Sequence, residues 1–328
     1  MSFEIDKNPM VSVIIPCYNA ERFVRESIVS IINQSYKNLE ILVCDDCSTD
    51  STLSIIEGLA NIDKRIVVIK HEENKKIVRT LNELVGKCKG KYIARMDADD
   101  ISLPNRLERQ VDFLENHSEI SGCGCISRYI NESGTVIGVS TPPISYKEAA
   151  FAAKYYSPLT HPTVVFRREV LLNNPYDPEF VHAEDYELWC RLIFFRKLKI
   201  CNLGEILFKY RLSDTQISNV YSKEQAELAE KIYLKYEFAG PEFSSIHVDI
   251  FKGKRYCNYD RNVTVNYISF CANEARKNKR YTSSTAIYKA LIKYCYKTKH
   301  FSLAIKLIIS DLGIRSLIST YRKDRHKK

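Results

Sequence analysis

Four strand-and-helix units follow one another in the first 116 residues, and this alternation limits the fold more than any other feature of the chain. Each unit starts with a short apolar run and continues with a stretch whose apolar residues recur at helical spacing. The strand and helix of each unit are predicted at 11–15 and 20–34, 39–43 and 51–59, 66–69 and 76–87, and 91–95 and 104–116. Such alternation predicts an α/β fold with a parallel, doubly wound sheet, which binds ligands at the carboxyl ends of its strands.

The pattern changes after residue 116 to a mixed α+β half. The predicted elements are a hairpin of 120–130 and 135–139, a strand at 163–166, a helix at 184–196 and a last strand at 206–210. Beyond residue 220 strand signals fade, and helical runs are predicted at 223–237, 264–278, 284–296 and 301–320. We therefore predict one domain over 1–220, with halves at about 10–116 and 117–220, followed by a helical module over 221–328.

An acidic cluster directly follows the fourth predicted strand. Asp97, Asp99 and Asp100 place three carboxylates within four positions after the apolar run 92–94. Carboxylates so close repel one another, and hard divalent ions such as Mg²⁺ or Mn²⁺ share their oxygen ligands between carboxylates and substrate phosphates. The cluster therefore predicts a metal and diphosphate site, and the alternative is an acidic turn that caps the helix starting near Pro104.

Two further loops are expected to face the same crevice, because they follow the first two strands. They are Pro16–Asn19 and Asp45–Asp50. A carboxylate in such a loop can accept hydrogen bonds from a nucleobase N–H or from ribose hydroxyls. Asp50 is interpreted as the N-cap of the next helix, whereas Asp45 has no evident structural role.

The cysteines and the hydropathy pattern bear on the compartment. The eleven cysteines show no regular spacing, so we expect free thiols in a reducing cytosol. The sequence shows no signal peptide at its start, and no apolar run reaches the roughly 18 to 20 residues that a membrane-spanning helix needs. We therefore expect a cytoplasmic protein that does not cross the membrane.

Basic residues are concentrated in the last third. Residues 221–328 contain 22 Lys and Arg against 10 Asp and Glu, whereas residues 1–220 contain 27 against 30. Amphipathic helices with Lys and Arg bind anionic lipid surfaces, so we expect peripheral attachment to the inner face of the cytoplasmic membrane. The alternatives are that the apolar helix faces pack against each other or form a homodimer. A nucleic-acid-binding role would explain the basic third but not an acidic crevice.

Five motifs in order resemble one enzyme family. They are Val11-Ser-Val-Ile-Ile-Pro-Cys-Tyr-Asn19, Asp45-Asp-x-Ser-Thr-Asp50, Arg95-Met-Asp-Ala-Asp-Asp-Ile-Ser-Leu-Pro104, His161-Pro162 and Ala183-Glu-Asp-Tyr-Glu-Leu-Trp189. Over residues 10–220 the chain resembles the family 2 glycosyltransferases of GT-A fold. It is most similar to bacterial enzymes that build lipooligosaccharide, O-antigen and capsule, including β-1,3-N-acetylglucosaminyltransferases.

The resemblance implies inverting transfer of a sugar from a nucleotide diphosphate donor such as UDP-GlcNAc, UDP-Gal or UDP-Glc to a glycan acceptor, expected to be lipid-linked. It implies Asp185 as the catalytic base, His161 and Glu184 as acceptor-binding residues, and Asp99 with Asp97 as ligands of Mn²⁺ or Mg²⁺. The donor-binding residues that it implies are Pro16, Tyr18, Asn19, Glu21, Asp45, Arg79, Asp97 and Ala98.

Three positions depart from the family pattern. Cys47 and Lys76 stand where glycine is frequent, which predicts altered loop backbones because glycine alone adopts φ > 0 freely. Ser213 stands where histidine is common in a Tyr-Arg-x-His segment. The Gln-x-x-Arg-Trp signature of processive synthases is absent, which favours addition of one sugar per encounter. A nucleotidyltransferase is the alternative enzyme class, but residues 16–21 lack the glycine-rich phosphate loop that it normally needs.

Overall fold

The computed structural model describes residues 8–154, 156–213 and 222–236. The predicted helical runs at 264–278, 284–296 and 301–320 lie outside the described residues. The strands are β1 (Val11–Cys17), β2 (Leu39–Asp45), β3 (Ile66–Lys70), β4 (Tyr92–Arg95), β5 (Ile101–Ser102), β6 (Ile120–Ile130), β7 (Val136–Val139), β8 (Val165–Arg167) and β9 (Lys199–Arg211). The α-helices are α1 (Val24–Ile32), α2 (Thr52–Ile62), α3 (Lys76–Lys87), α4 (Arg106–Asn116), α5 (Tyr146–Ala152), α6 (Arg168–Leu172), α7 (Glu184–Cys190) and α8 (Ser222–Lys235).

The first four units form the parallel part of the sheet, as the alternation predicts. The strand order is β3-β2-β1-β4, and Val13 lies opposite Ile41 of β2 and Ala94 of β4. Beyond β4 the order continues β8-β6-β9-β5, with β7 on β6, and all of these pairs are antiparallel except β6 with β9. The predicted α/β fold with an α+β second half is confirmed.

Successive β1 side chains alternate between two buried layers, which explains why the strand is almost entirely apolar. Val13 and Ile15 pack into a core with α1, α2 and α4, whereas Ile14 packs into a second core with α3, α7 and α8. Helices therefore cover both faces of the sheet, as in a doubly wound fold. Because β1, β2 and β4 are parallel, the loops at their carboxyl ends lie at the same edge of the sheet.

The helix predicted over 184–196 is found as α7 followed directly by a π-helical turn, Arg191–Phe195. One predicted boundary in the second half is wrong. The last strand begins at Lys199 rather than at 206, because residues 199–203 pair with the start of β6. Pairing partners so distant in sequence leave no local signal in an apolar-polar pattern.

The predicted domain boundary at residue 220 stays a prediction, but the first helix beyond it is described. Helix α8 packs on the second core, where Ile232 is fully buried. All eight cysteines within the described residues are free thiols, as expected. Among these residues, no helix is long and apolar enough to span a membrane.

The altered backbones predicted at Cys47 and Lys76 are not found. Both residues adopt the left-handed conformation that glycine favours, with φ of 64° and 68°. Hydrogen bonds hold them there: the Cys47 thiol donates to the Glu72 carbonyl at 3.5 Å, and the Lys76 N–H donates to Asp46 Oδ2 at 3.0 Å. The loops thus keep a glycine-type backbone without glycine.

We expect Cys47→Gly to raise the free energy of unfolding by up to about 1 kcal/mol. Left-handed strain of about 1 to 2 kcal/mol is relieved, while glycine adds about 0.4 to 1 kcal/mol of entropy to the unfolded chain. Urea titration measures the difference. Cys47→Ala is the matched control, because it removes the same thiol contact but keeps the Cβ atom. Equal stability of the two variants would contradict the strain argument.

Candidate active site

The loops after β1 and β2 are joined into one wall of the crevice. Asn19, with φ of 48°, accepts through Oδ1 from the Thr49 N–H at 2.9 Å. Glu21 accepts from the Ser51 N–H at 2.9 Å, and its own N–H donates to Asp50 Oδ2 at 3.1 Å. Asn19 and Glu21, which were predicted to bind the donor, therefore tie the two loops together. The prediction that Asp50 is the N-cap of α2 is wrong by one residue, because the N-cap is Ser51; Asp50 precedes it, and its Oδ1 accepts from the Thr52 N–H at 3.0 Å.

Asp45 lies at the end of β2 with one carboxylate oxygen engaged and one open. Its Oδ2 accepts from the Ser48 N–H at 3.1 Å, while Oδ1 is buried and has no hydrogen-bond partner among the described residues. A buried acceptor without a donor is costly, so the position suits a ligand N–H or hydroxyl. Tyr18 is half exposed, Pro16 lies within β1 opposite Cys44, and Arg79 is exposed on α3.

Asp46 positions the start of α3, a role that sequence reasoning missed. Its carboxylate accepts from the backbone N–H groups of Lys75 at 2.9 Å and Lys76 at 3.0 Å. It also lies 2.6 Å from His71 Nδ1, and the other ring nitrogen lies 3.1 Å from Glu83. The two neighbouring carboxylates therefore differ in role: Asp45 has an oxygen available to a ligand, whereas Asp46 positions the start of α3.

The acidic cluster after β4 converges as the sequence predicts. Asp97, Asp99 and Asp100 each place one carboxylate oxygen within 4.8 Å of the others. Arg95 holds Asp97 in a bidentate ion pair, with nitrogen to oxygen distances of 2.5 and 2.6 Å. Ala98, between them, is buried. The alternative of a simple helix-capping turn does not account for this convergence.

Burial makes the ionised cluster costly. Desolvation, followed by repulsion from Asp97, raises the pKa of Asp99 to about 6. The same causes, with Asp99 as the stronger neighbour, raise the pKa of Asp100 well above its ordinary value, and Asp100 Oδ2 has no partner in the described part of the chain. A hard divalent cation would remove this repulsion, and carboxylate oxygens are the ligands it prefers. The residues present therefore fit Mg²⁺ or Mn²⁺.

Arg211, at the end of β9, forms hydrogen bonds with two residues of the acidic cluster. Its N–H donates to Asp100 Oδ1 at 2.7 Å and its Nε donates to the Asp99 carbonyl at 2.7 Å. Its Nη2 pairs with Glu26 at 2.6 Å, and the guanidinium lies over the Phe23 ring. Sequence reasoning noted this segment only for Ser213, although a Tyr-Arg pair ending an apolar strand was the available signal.

Glu184 and Asp185 begin α7, away from the acidic cluster in sequence. Asp185 accepts from the Tyr186 N–H at 2.7 Å and from the Ser157 hydroxyl at 3.3 Å. Burial raises the pKa of Asp185. Burial and, second, the charge of Asp185 raise the pKa of Glu184 to about 7, and Glu184 Oε2 has no partner within the described residues. Perturbed carboxyl groups of this kind are typical of catalytic sites.

His161 and Trp189 are packed together in the second core. His161 Nε2 lies 2.9 Å from the Tyr176 hydroxyl, and its ring meets Trp189 edge-on. Burial lowers the pKa of His161 well below its ordinary value, so the ring is neutral. Trp189 is fully buried and stacks on Phe166, as expected for a core residue. His161 Nε2 thus has a partner within the protein, and the predicted acceptor-binding role of His161 stays a prediction.

Comparison with known sequences identifies the class. Residues 12–173 match the profile described as Glycosyl transferase family 2. An uncharacterized glycosyltransferase of Haemophilus influenzae is 39% identical over 234 residues, which cover 68% of this chain and 72% of the relative. The β-1,3-glucosyltransferase WfgD of Escherichia coli, named as acting on UDP-Glc and α-D-GlcNAc-diphosphoundecaprenol, is 35% identical over 219 residues, covering 66% and 82%.

Solved structures share the fold at low sequence identity. TarS of S. aureus with UDP-GlcNAc gives a TM-score of 0.58 at 18% identity, covering 88% of this chain and 89% of that one. The mannosyltransferase PcManGT of Pyrobaculum calidifontis, with GDP-Man and Mn²⁺, gives 0.56 at 17%, covering 89% and 87%. The fold is that of the GT-A transferases. The chain belongs to glycosyl transferase family 2 and is a glycosyltransferase, which excludes the nucleotidyltransferase and nucleic-acid-binding alternatives.

We expect Glu184→Gln to stabilise the protein at pH 8 but not at pH 5. The pKa is about 7 in the folded state against an ordinary 4.5, so the folded protein retains a proton that the unfolded chain has lost. Stability therefore falls as pH rises between these values, by up to about 3 kcal/mol, and glutamine avoids that loss. Thermal melts at both pH values in chelator test this. Glu57→Gln, on an exposed site, is the control, and a gain that does not change with pH would contradict the argument.

Proposed function

We propose that the protein transfers one sugar per encounter from a UDP-sugar to a hydroxyl of a growing bacterial surface glycan, with inversion at the anomeric carbon. The observation that carries this proposal is the convergence of three carboxylate oxygens within 4.8 Å at the end of β4. Such a site suits a metal-bound diphosphate, which is the leaving group of a nucleotide-sugar donor. The family membership of the chain and the open Oδ1 of Asp45 support the same conclusion.

Asp99 and Asp97 are the proposed ligands of Mn²⁺ or Mg²⁺. When bound, the ion supplies positive charge for the diphosphate that leaves the sugar. In PcManGT the solved complex contains Mn²⁺, which supports a divalent ion on this fold. Arg95 keeps the Asp97 carboxylate in place, and Arg211 fixes the backbone at Asp99.

The donor is proposed to lie against the joined loops after β1 and β2. Asp45 accepts from the base or ribose, Tyr18 and Pro16 border the nucleoside, and Arg79 approaches the nucleotide from α3. Asn19 and Glu21 keep this wall rigid through the contacts described above, and Ala98 leaves room beside the diphosphate. UDP-Glc, UDP-GlcNAc and UDP-Gal are the candidate donors, since WfgD is named for UDP-Glc and TarS was solved with UDP-GlcNAc.

Asp185 is the proposed general base. An acceptor hydroxyl is a poor nucleophile at neutral pH, so a carboxylate must take its proton as the new bond forms. A raised pKa suits this task, and the Ser157 hydroxyl orients the carboxylate. A single displacement inverts the anomeric centre and requires only one base. Glu184 and His161 are proposed to contact the acceptor glycan, which we propose is carried on a lipid diphosphate.

Two variants separate the proposed roles. We expect Asp99→Asn to weaken UDP binding in Mn²⁺ at least tenfold and to abolish transfer, because a metal ligand is lost. Asp185→Asn should leave UDP binding within twofold and lower turnover by about 100-fold or more, because only the proton acceptor is lost. Calorimetry with UDP, and UDP release from UDP-Glc or UDP-GlcNAc with a synthetic α-GlcNAc diphospholipid, measure these effects.

The exposed Asp112→Asn is the control and should resemble the parent in both assays. Full activity in excess chelator would overturn the metal assignment. If Asp185→Asn lost UDP affinity and kept its turnover, the residue would belong to the donor site.

We further propose that the basic residues of 221–328 hold the enzyme on the cytoplasmic face of the membrane, near a lipid-linked acceptor. The support is the charge distribution in the sequence: 22 basic against 10 acidic side chains. Each basic residue near an anionic surface contributes about 1 kcal/mol, so attachment is reversible and weakened by salt. The competing arrangement is a homodimer formed through the helices that the sequence predicts in this segment.

In a vesicle flotation assay we expect the full chain to bind anionic vesicles at low salt and to be released at high salt. It should not bind neutral vesicles. A chain ending at Tyr321, which lacks the final basic cluster, should float less. Absence of the full chain from the anionic vesicle fraction at low salt would overturn the membrane proposal, and a dimer in sedimentation would then favour the alternative.

A further inference from the structure

Glu187 on α7 is a fully buried carboxylate that the proposed reaction does not use. It lies two residues after Asp185, and its side chain is completely inaccessible. Three side chains donate to it: Arg191 through Nη2 at 3.0 Å, Lys235 through Nζ at 2.9 Å and Tyr236 through its hydroxyl at 2.7 Å. A buried charge is destabilising unless it is paired in this way. Two of the three donors lie at the end of α8.

The same end of α8 also contacts the segment before Asp185. Lys235 Nζ lies 3.3 Å from Asp177 Oδ2, and it sits over the Phe180 ring at 4.7 Å from the centroid. Lys235 thus joins two carboxylates, one on each side of Asp185 in the chain. The segment 177–187 is held at both of its ends by one ammonium group.

A third contact lies at the other end of α8. Gln225 Nε2 donates to the His182 carbonyl at 2.8 Å. His182 has φ of 77°, a left-handed conformation that costs about 1 to 3 kcal/mol and persists where the surroundings fix it. This residue lies two positions before Glu184, so its backbone directs the entry into α7.

Apolar packing anchors α8 between these polar contacts. Ile232 is fully buried in the core that contains Tyr186 and Trp189 of α7. These contacts reach α7 and the segment leading into it before, beside and after Asp185. None of them touches the Asp185 carboxylate itself.

We propose that α8 is a clamp that positions the general base, and that Lys235 and Tyr236 are positioning residues acting through Glu187. The proposal rests on the proposed function of Asp185. A misplacement of about 1 Å can cost about 100-fold in rate, so a base at the start of a seven-residue helix benefits from external support. The family profile ends at residue 173, so the clamp lies beyond the part of the chain that it describes.

The test is the double variant Lys235→Met/Tyr236→Phe in the full chain. We expect kcat for UDP release with the synthetic diphospholipid to fall about tenfold or more, while UDP affinity in Mn²⁺ stays within twofold. Lys235→Arg should restore most of the turnover, because it keeps the charge beside Glu187. Glu227→Gln, at an exposed position on the same helix, is the control and should behave as the parent.

A cycle with Asp185→Asn separates the clamp from the base assignment. Once the base is removed, the clamp variant should cause no further loss of turnover, because positioning residues act only through the group they position. Full turnover of Asp185→Asn alone would defeat the base assignment itself. Loss of turnover in Asp185→Asn with unchanged kcat in the clamp variant would overturn the clamp and leave the base in place.

Loss of UDP binding together with turnover in the clamp variant would also overturn the proposal, since α8 would then support the whole domain. The single variant Tyr236→Phe removes one hydroxyl and keeps the packing. It should lower kcat about two- to fivefold while the protein remains folded at the assay temperature, and an unchanged kcat would count against the clamp.

Discussion

Burial of like charges at the end of β4 is the constraint on which the rest of the site depends. Asp97, Asp99 and Asp100 repel one another strongly where water is scarce. Buried arginines from different elements compensate. Arg95 from β4 pairs with Asp97, and Arg211 from β9 donates through Nε to the Asp99 carbonyl and through its backbone N–H to the Asp100 carboxylate. Arg106 from α4 donates to the Arg95 carbonyl at 2.9 Å and so fixes the strand that carries the loop. The acidic loop is therefore stable only when β4, α4 and β9 are all in place.

This dependence accounts for the buried arginines around the acidic loop. Burial lowers the pKa of Arg106 to about 10, which leaves it charged at neutral pH. An ion pair in the interior contributes little net stability, yet removing one partner is costly because the other stays buried. The arginines thus specify the shape of the site more than they stabilise the fold. Glu187 on α7 follows the same rule, since it is paired with Arg191 and Lys235.

Local patterns predicted what depends on neighbours in sequence, and long-range pairing decided the rest. The four β-α units, the hairpin around residues 131–134 and the acidic cluster could all be read from short windows. The start of β9 could not, because it is set by β6 about 80 residues earlier. The burial of Glu187 could not be recognised either. Lying four residues before Arg191, it has the spacing of an exposed helical ion pair, and its contacts with Lys235 come from α8, which is distant in sequence. The assignment of particular loop residues to substrate binding came from the family resemblance. The sequence alone does not distinguish a loop carboxylate that binds a ligand from one that does not.

Strand β8 connects the two halves that the sequence predicts. β8 pairs with β4 on one edge and with β6 on the other, so the two halves share a continuous hydrogen-bonded sheet. A crevice between separate lobes can open by rotation of one lobe, but here such a rotation would break the backbone ladder along β8. Substrate entry therefore has to be accommodated by the loops at the sheet edge. The width of the crevice is then fixed by the sheet, and differences in sugar preference between relatives should arise in loop residues rather than in the spacing of the halves.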